Sequence, residues 1–377
     1  MNGSIRKRSD KSWELTIDLG RDADGKRLRK FVSVKGTKTQ AQQTLREILT
    51  SHDKGIPLVI EKITVQEWLV RWMAEYVTPN ARQKTRERYQ GIIDRHIIPA
   101  IGHVVLPKLT PSDVQMMEAG LTDGGMAPKG VELVHTVISG AYKYALRMEA
   151  VWRNPAKAVT PPKVIRREVE PPEIAKVNQI LALAEQEEHA LFPALHLIAY
   201  TGLRRGEALG LRHQDINLEA GTISVVQSIG RSLKHGIVVE PTKTNAGRRA
   251  VDLDEGTVAV LRSHIGRQLL RRMELEGSYQ DNGLLFPGPL GDPLNPMTLT
   301  RVYQSYPKRL GLEHARLHDL RHFHASVLLQ SGQSPVLVSK RLGHSSVSMT
   351  LDIYAHLMPG WQREAAEVFA KAMNQGD

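Results

Sequence analysis

The chain has 377 residues, too many for one small domain, and this length predicts two or three folding units. Lysine and arginine total 51 against 40 acidic residues, and the formal charge of +11 favours a polyanionic partner, either nucleic acid or an anionic membrane face. The absence of cysteine excludes disulfides and thiolate zinc sites. The first residues lack the apolar core of a signal peptide, and the longest apolar run, 190–200, is far short of the ~20 residues that span a bilayer. We therefore expect a soluble, cytoplasmic, basic protein.

Residues 1–58 alternate between apolar and polar side chains like short strands, followed by a helix. Trp13, Leu15 and Ile17 share one strand face, and Asp24-Gly25 is a hairpin turn signal. This segment contains 13 basic and 7 acidic residues, so it carries about half of the positive surplus. The pattern predicts a three-stranded sheet with one helix that binds DNA, and the alternative is a solvated basic tag-like domain.

From residue 63 the pattern becomes helical. Apolar residues at spacings of three and four, such as Trp68, Leu69 and Trp72, predict helices with one buried face in a compact all-α domain. Five prolines and several basic residues between positions 154 and 172 then favour an extended linker, because proline lacks a backbone donor.

An apolar helix at 191–200 runs into Thr201-Gly202, which interrupts it. Arg204 and Arg205 therefore project from a tight bend. A guanidinium group is always charged, and its planar fork of donors matches phosphate oxygens. An arginine pair at a helix start is nevertheless more often a surface feature.

Two predicted strands follow, at 222–229 and 236–241. The Asn245-Ala246-Gly247 turn places Lys243 on a hairpin between the second strand and a third one. A lysine there could protonate a departing alkoxide if neighbouring cations and burial lower its pKa. Lys234, on the preceding turn, is the weaker candidate.

A buried helix at 315–329 places His318 and Arg321 three residues apart on one face. His318 and His322 are four apart, the spacing of a metal-binding pair, but the HExxH arrangement and cysteines are absent. We expect no metal there. The pattern gives no physical role to His322 or His324.

The segment LGHSSVSMTLDIYAHL contains His344 and, ten positions later, Tyr354. A tyrosine in such a place is usually a core residue with its hydroxyl hydrogen-bonded near the surface. Its ordinary pKa near 10 makes it a poor nucleophile unless nearby cations favour the phenolate.

Together these segments closely resemble the tyrosine recombinase, or phage integrase, family. The motifs that carry the resemblance are GLRRGE, HDLRH, LGHSS and IYAH, in the chain order of that family. The resemblance selects Arg204 over Arg205 and implies that Glu207 buttresses the first arginine. The implied catalytic residues are Arg204, Lys243, His318, Arg321, His344 and Tyr354.

The expected fold class is α+β and multidomain, and the resemblance assigns a role to each part. Residues 1–58, with a small three-stranded sheet plus a helix, would bind distal arm-type DNA sites. Residues 63–160 would be an all-α, SAM-like core-binding domain, and residues 173–377 a mainly α catalytic domain with a small antiparallel sheet. The helix from Trp361 would dock on a neighbouring protomer or, alternatively, pack on its own domain.

The activity implied is that of a site-specific DNA recombinase that integrates or excises a mobile element or prophage. Tyr354 would attack a scissile phosphate and form a 3′-phosphotyrosyl intermediate. Because one phosphodiester is exchanged for an ester of similar energy, no cofactor, ATP or metal is expected. The implied partners are double-stranded DNA at core and arm-type attachment sites and a homotetramer on paired sites, with a host DNA-bending factor or an excisionase as further candidates and no membrane.

Other functions can be weighed against this one. A type IB topoisomerase-like enzyme would share the chemistry, but the three-domain layout argues against it. A catalytically idle DNA-binding regulator would not need to keep all six polar residues. The hypothesis of a metal-dependent nuclease is supported only by the spacing of His318 and His322.

Overall fold

The computed structural model describes residues 3–9, 12–21, 27–53, 63–151, 153–165, 171–242, 245–312, 315–354 and 361–374. The chain divides into two compact units, Met1–Ile165 and Arg166–Asp377. Across the described ranges, no helix combines the length and the apolar character that crossing a bilayer requires.

The first unit starts with a small antiparallel sheet and one helix. These elements are β1 Gly3–Ser9, β2 Ser12–Arg21, β3 Arg27–Lys35 and α1 Lys38–Asp53. β2 lies between β1 and β3, and Leu15 on β2 packs against Ala41 and Leu45 of α1. The predicted sheet and helix are therefore present, while the Asp24-Gly25 turn lies outside the described residues.

The rest of the first unit is helical, and two of its helices change pitch where proline occurs. The helices are α2 Val65–Trp72, α3 Thr78–Asn80, α4 Gln83–Ile92, α5 Ile98–Ile101, α6 Pro111–Asp123 and α7 Pro128–Arg147. π-Helical turns at Met73–Val77 and Ile93–Ile97 join α2 to α3 and α4 to α5. Pro79 and Pro99 follow these turns, and their missing N–H groups interrupt the ordinary α-helical hydrogen bonds.

The buried faces of these helices form one core, as the spacing predicted. Trp68, Trp72 and Tyr142 are almost fully buried. The Trp68 indole donates to the carbonyl of Ala141 at 3.1 Å, and the Tyr142 hydroxyl donates to the carbonyl of Leu106 at 3.0 Å. The polar ends of both rings are thus satisfied inside an apolar core.

The predicted extended linker at 154–172 is wrong in its first part. Pro155–Ala158 forms a 3₁₀ turn, and Ala156 is fully buried in the helical core. The Asn154 side chain accepts from the backbone N–H of Ala156 at 3.0 Å and donates to the carbonyl of Ser139 at 3.1 Å. Proline is tolerated in the first turn of a helix, so its presence there did not exclude packing.

The second unit is mainly helical. Before the strands come α8 Ile174–Gln186, α9 Phe192–Thr201 and α10 Arg205–Leu209. After the strands come α11 Glu255–Glu274, α12 Pro296–Arg309, α13 Asp319–Gln330, α14 Pro335–Leu342, α15 Val347–Tyr354 and α16 Trp361–Asn374. One large apolar cluster joins α8, α9, α12 and the strands, and a smaller one joins α13, α14 and α15.

The strands form two small antiparallel sheets. They are β4 Ile216–Asn217, β5 Thr222–Val225, β6 Gln227–Ser232, β7 Gly236–Pro241 and β8 Arg249–Asp252. One sheet has the order β4-β5-β8, and the other pairs β6 with β7. The two units together have the expected α+β multidomain architecture with a mainly α second unit.

Two details of the strand prediction are wrong. The single strand at 222–229 is two strands that separate at Val226 and belong to different sheets. β6 runs close against α10, where a Cβ atom on Gly206 would lie 2.5 Å from the carbonyl oxygen of Ile229. β7 and β8 are not paired as the predicted hairpin requires, since β7 pairs with β6 and β8 pairs with β5.

Candidate active site

A left-handed glycine places Arg204 at the start of α10. Gly202 ends α9 with φ +66°, and a Cβ atom there would lie 2.6 Å from Leu342 Cδ2 and 2.9 Å from His324 Cδ2. Only glycine combines this backbone conformation with such close packing. The bend predicted from Thr201-Gly202 is therefore present, and Arg204 directly precedes α10.

A buried carboxylate, Glu207, joins two arginines. Arg204 Nη1 donates to Glu207 Oε1 at 2.6 Å, and Arg249 Nη2 donates to Glu207 Oε2 at 2.9 Å. The side chains of Glu207 and Arg249 are 5% and 7% exposed, whereas that of Arg204 is 40% exposed. Burial by itself would raise the pKa of Glu207, but Arg249 and then Arg204 hold that pKa below its ordinary value. The carboxylate therefore stays charged, and the accessible guanidinium is the one on Arg204.

Arg321, on α13, and Arg204, before α10, both donate to the turn that ends α14. Arg321 Nη1 donates to the carbonyl of Gly202 at 2.7 Å and its Nη2 to that of Leu342 at 2.8 Å, while Arg204 Nη2 donates to the carbonyl of Gly343 at 3.2 Å. The two guanidinium groups are thus held by consecutive carbonyls. Burial, and then the charge of Arg204, lowers the pKa of Arg321 to about 9, so Arg321 remains a cation at neutral pH.

Two histidines border this pair of arginines. His318 directly precedes α13, and partial desolvation, followed by the neighbouring His322 and Arg321, lowers its pKa to about 4. His344 is 9% exposed, and its Nδ1 lies 2.7 Å from the Oγ1 of Thr350 on α15. Burial, and then the arginine charges, lowers the pKa of His344 to about 4. Both imidazoles are therefore neutral at pH 7.

Tyr354, at the end of α15, is 1% exposed. Its hydroxyl lies 2.6 Å from Nδ1 of His322, on α13. Burial raises the pKa of Tyr354 to about 12, against a smaller opposing effect of Arg321. The phenol is therefore protonated at neutral pH. Its ring packs with Ala325, Leu329, Val338 and Leu342.

The other cations that the sequence singled out are placed differently. Arg205 donates from Nη1 to the hydroxyl of Thr300 on α12. Lys234 is exposed in the turn between β6 and β7, and Lys243 lies outside the described residues. The structure thus brings together five of the six candidate residues, and the choice of lysine stays a prediction.

His324, for which the sequence suggested no role, joins three elements of the second unit. Its Nδ1 faces the carbonyl of Ala199 on α9 at 3.2 Å, and its Nε2 accepts from Arg341 Nε at 3.0 Å. Arg341 Nη2 also donates to the carbonyl of Asp252 at 3.0 Å. Since Nε2 is an acceptor, the ring proton lies on Nδ1. Burial, and then Arg341, lowers the pKa of His324 to about 4 and keeps it neutral.

Sequence reasoning also missed the contacts of Arg249, His322 and Thr350. Arg249 is the second residue of an arginine doublet and the first residue of β8, and the sequence gave no sign of its carboxylate partner. Thr350 is four residues before Tyr354, so helical spacing alone could have placed both on one face of α15. His322 was considered only as a metal ligand. In the parts of the chain that the structure describes, no three His, Cys, Asp or Glu side chains are grouped to hold a metal ion.

Two family models match the sequence. The model described as the phage integrase family matches residues 173–360, and the one described as the phage integrase N-terminal SAM-like domain matches residues 64–117. The first match spans all six candidate catalytic residues, and the second lies within the helical part of the first unit.

Individual relatives and solved structures are similar to this chain over most of its length. The chain is 27% identical to a tyrosine recombinase XerC-like protein of Caldanaerobacter subterraneus subsp. tengcongensis, over 94% of this chain and 95% of the relative. A solved structure of the Tn1549 transposon integrase with a circular intermediate DNA is similar with a TM-score of 0.67 and 20% identity, over 81% of this chain and 99% of the other. The solved structure of a lambda integrase tetramer bound to a Holliday junction is similar with a TM-score of 0.56 and 20% identity, over 92% of this chain and 94% of the other. These structures confirm the predicted fold class.

Proposed function

Because this chain belongs to the phage integrase family of tyrosine recombinases, we propose that it cuts and rejoins double-stranded DNA at specific sites to integrate or excise a mobile element. The relatives support this proposal, since they include a transposon integrase solved with a circular intermediate DNA and an integrase tetramer solved on a Holliday junction. The observation that carries it is the pair of guanidinium groups, Arg204 and Arg321, held on the consecutive carbonyls of Leu342 and Gly343.

In this mechanism the oxygen of Tyr354 attacks the scissile phosphorus and the 5′ oxygen of the cut strand leaves. Arg204 and Arg321 bind the non-bridging oxygens, where negative charge builds up in the transition state. His318 and His344 are neutral, so each imidazole can donate one N–H to the phosphate without adding charge. Lys243 protonates the leaving oxygen. The free 5′-hydroxyl of a partner strand then attacks the phosphotyrosyl ester and restores a phosphodiester.

The nucleophile is tested with Tyr354→Phe, which removes one oxygen and little volume. On a nicked suicide DNA the wild type should form a covalent protein–DNA adduct visible on a denaturing gel. The variant should form none while still binding the same DNA in a mobility-shift assay. An adduct in the Tyr354→Phe lane would show that another residue attacks the phosphate.

The lysine is tested with DNA in which sulfur replaces the leaving 5′ oxygen, because a thiolate leaves without being protonated. Lys243→Ala should be inactive on ordinary DNA and should regain cleavage on the sulfur-containing DNA. Lys234→Ala serves as the matched control and should be active on both. Reversal of the two results would move the general-acid role to Lys234.

We further propose three functional parts with the boundaries 1–58, 63–160 and 173–377, which bind arm-type DNA, bind core DNA and perform catalysis. The active assembly is a homotetramer on paired core sites. Phe369 and Met373 on α16 are 67% and 65% exposed, which supports docking of this helix on a neighbouring protomer. Phe369→Glu with Met373→Glu should abolish paired-site complexes in native gels and preserve adduct formation on a single half-site.

An enzyme whose substrate is genomic or mobile-element DNA must share the compartment of that DNA, so we place the protein in the cytoplasm. The test is fractionation of cells that express the full chain, with the protein expected in the soluble fraction together with DNA. Recovery in the membrane fraction after a high-salt wash would contradict this location.

A further inference from the structure

The hydroxyl of Tyr354, the proposed nucleophile, lies within hydrogen-bonding distance of an imidazole, a group that can accept a proton. His322 Nδ1 lies 2.6 Å from the Tyr354 oxygen, and among the described residues it is the one group in hydrogen-bonding distance of that oxygen. His344 directs its own Nδ1 to Thr350, and His318 lies edge-on to the His322 ring with centroids 4.9 Å apart. Neither of these two imidazoles has a hydrogen bond to the phenol.

The protonation states of Tyr354 and His322 allow a proton to pass from the phenol to the imidazole. Burial raises the pKa of Tyr354 to about 12, so at pH 7 roughly one phenol in 10⁵ would ionise without help. Burial is also the main influence on His322 and lowers its pKa; Asp319 opposes this and Arg321 adds to it. In the tautomer that carries its proton on Nε2, a neutral imidazole has a lone pair on Nδ1 and can accept a proton there.

We propose that His322 is the catalytic base of strand cleavage and takes the phenolic proton of Tyr354. As the bond between the Tyr354 oxygen and phosphorus forms and the bond from phosphorus to the 5′ oxygen breaks, the phenolic proton moves to Nδ1 of His322. The leaving oxygen receives its proton from the general acid. In rejoining, the incoming 5′-hydroxyl loses its proton to that acid's conjugate base and His322 returns a proton to the departing Tyr354 oxygen.

The proposal depends on Tyr354 being the nucleophile, and it adds a residue to the six that the family motifs identify. His318 and His344 keep a different task, the binding of phosphate oxygens. The start of α13 thereby brings three functional groups together within about one turn: His318, directly before the helix, and Arg321 bind the phosphate, and His322 serves the nucleophile. Arg321 and His322 are neighbours in the helix and project about 100° apart, so these two side chains can serve different reacting atoms.

The first experiment measures single-turnover adduct formation on the nicked suicide DNA with His322→Gln. Glutamine keeps a hydrogen bond to the phenol but takes up no proton. We expect cleavage to slow by about 10²- to 10³-fold, the usual contribution of a general base. His213→Gln, the same change at an exposed position of the second unit, is the control and should cleave like the wild type.

The second experiment separates proton acceptance from positioning. Fluorinated tyrosines of decreasing pKa are incorporated at position 354 in wild-type and His322→Gln backgrounds. If His322 takes the proton, the defect of His322→Gln should shrink progressively as the phenol becomes more acidic, because an acidic phenol needs less help from a base. A defect of constant size along the series would leave His322 a positioning residue and overturn the proposal.

Other outcomes are also decisive. A His322→Gln variant as fast as the wild type, or faster, would mean that the contact only holds the tyrosine at rest, and the inference would fail while the recombinase function stands. Adduct formation by Tyr354→Phe would remove the nucleophile itself and with it the proposed mechanism. On DNA with a sulfur leaving atom, His322→Gln should stay slow while Lys243→Ala recovers, which distinguishes the base from the acid.

Discussion

The arginines and the tyrosine of this site are held in contrasting ways. Arg204 and Arg321 are fixed by several charge-assisted hydrogen bonds to Glu207 and to backbone carbonyls. Among the described residues, the Tyr354 side chain is held by apolar contacts and by one hydrogen bond, to His322. The cations are therefore oriented by the fold, whereas the proposed nucleophile is a neutral phenol, whose proton would have to leave during the reaction.

This contrast agrees with the physical requirements of phosphoryl transfer. Stabilising negative charge is most effective when donors are already oriented, because no reorganisation is then needed during the reaction. A permanently ionised phenolate in an apolar cluster would by contrast cost desolvation energy before DNA arrives. Coupling the ionisation of Tyr354 to His322 limits that charge to the chemical step. Each of the following predictions perturbs one side of the site.

The largest effect is expected from Arg321→Lys. Lysine keeps the charge but loses the planar fork that donates to the carbonyls of both Gly202 and Leu342. We expect adduct formation to fall by about 10²- to 10³-fold, the typical result of removing one oriented donor. Arg309→Lys, in a solvent-exposed ion pair with Glu187, is the control and should leave the rate unchanged. Equal rates for Arg321→Lys and wild type would show that charge alone suffices.

A smaller loss is expected from Glu207→Gln, which removes the negative charge between Arg204 and Arg249. Breaking a buried ion pair typically costs about 3 kcal/mol of stability, and the misorientation of Arg204 should slow cleavage by about 10- to 100-fold. Denaturant unfolding and single-turnover cleavage measure the two effects. Glu187→Gln removes a carboxylate from an exposed pair and should change neither quantity appreciably. If Glu207→Gln matched that control, the buttressing role would be excluded.

Thr350→Val should lower the cleavage rate constant about tenfold. The change keeps the shape of a fully buried side chain but removes the hydroxyl that meets His344 Nδ1, so the imidazole loses the contact that fixes its tautomer and ring orientation. The loss should appear in the cleavage rate constant at saturating protein, while DNA affinity changes little. Thr350→Ser retains the hydroxyl and should recover most of the rate. A failure of serine to rescue would assign the effect to packing.

The sequence predicted more about the cations and the nucleophile than about the groups that support them. The bend at Gly202 and the helix that carries Arg321 follow from local signals, and the family motifs pointed to the residues that meet there. The contact of His322 with Tyr354 joins positions 32 residues apart, and that of Arg249 with Glu207 joins positions 42 apart. Local periodicity carries no information on such pairs. The same limitation explains why the break between β5 and β6 at Val226 was not predicted, since β6 packs against α10, which is distant in sequence.

The smallest effect concerns pH and tests whether two buried histidines, one in the site and one outside it, are neutral. His324 and His344 are buried with folded-state pKa values of about 4, whereas an unfolded chain has histidines near 6.5. The unfolded state therefore binds more protons between these values, so their stabilising contribution is complete above about pH 6.5 and is lost as pH falls toward 4. Each histidine adds up to about 1.4 kcal/mol per pH unit to the slope.

Urea unfolding of the full chain between pH 5 and 6.5 measures this slope in a window where most carboxylates are ionised in both states. His324→Gln lacks one of these histidines and should show a shallower dependence than the wild type, in addition to a stability loss of about 1 kcal/mol from its hydrogen bonds to Ala199 and Arg341. His213→Gln, at an exposed position, should keep the wild-type slope. An unchanged slope in His324→Gln would mean that this histidine is protonated in the folded protein, and that the hydrogen bond from Arg341 to its Nε2 is absent in solution.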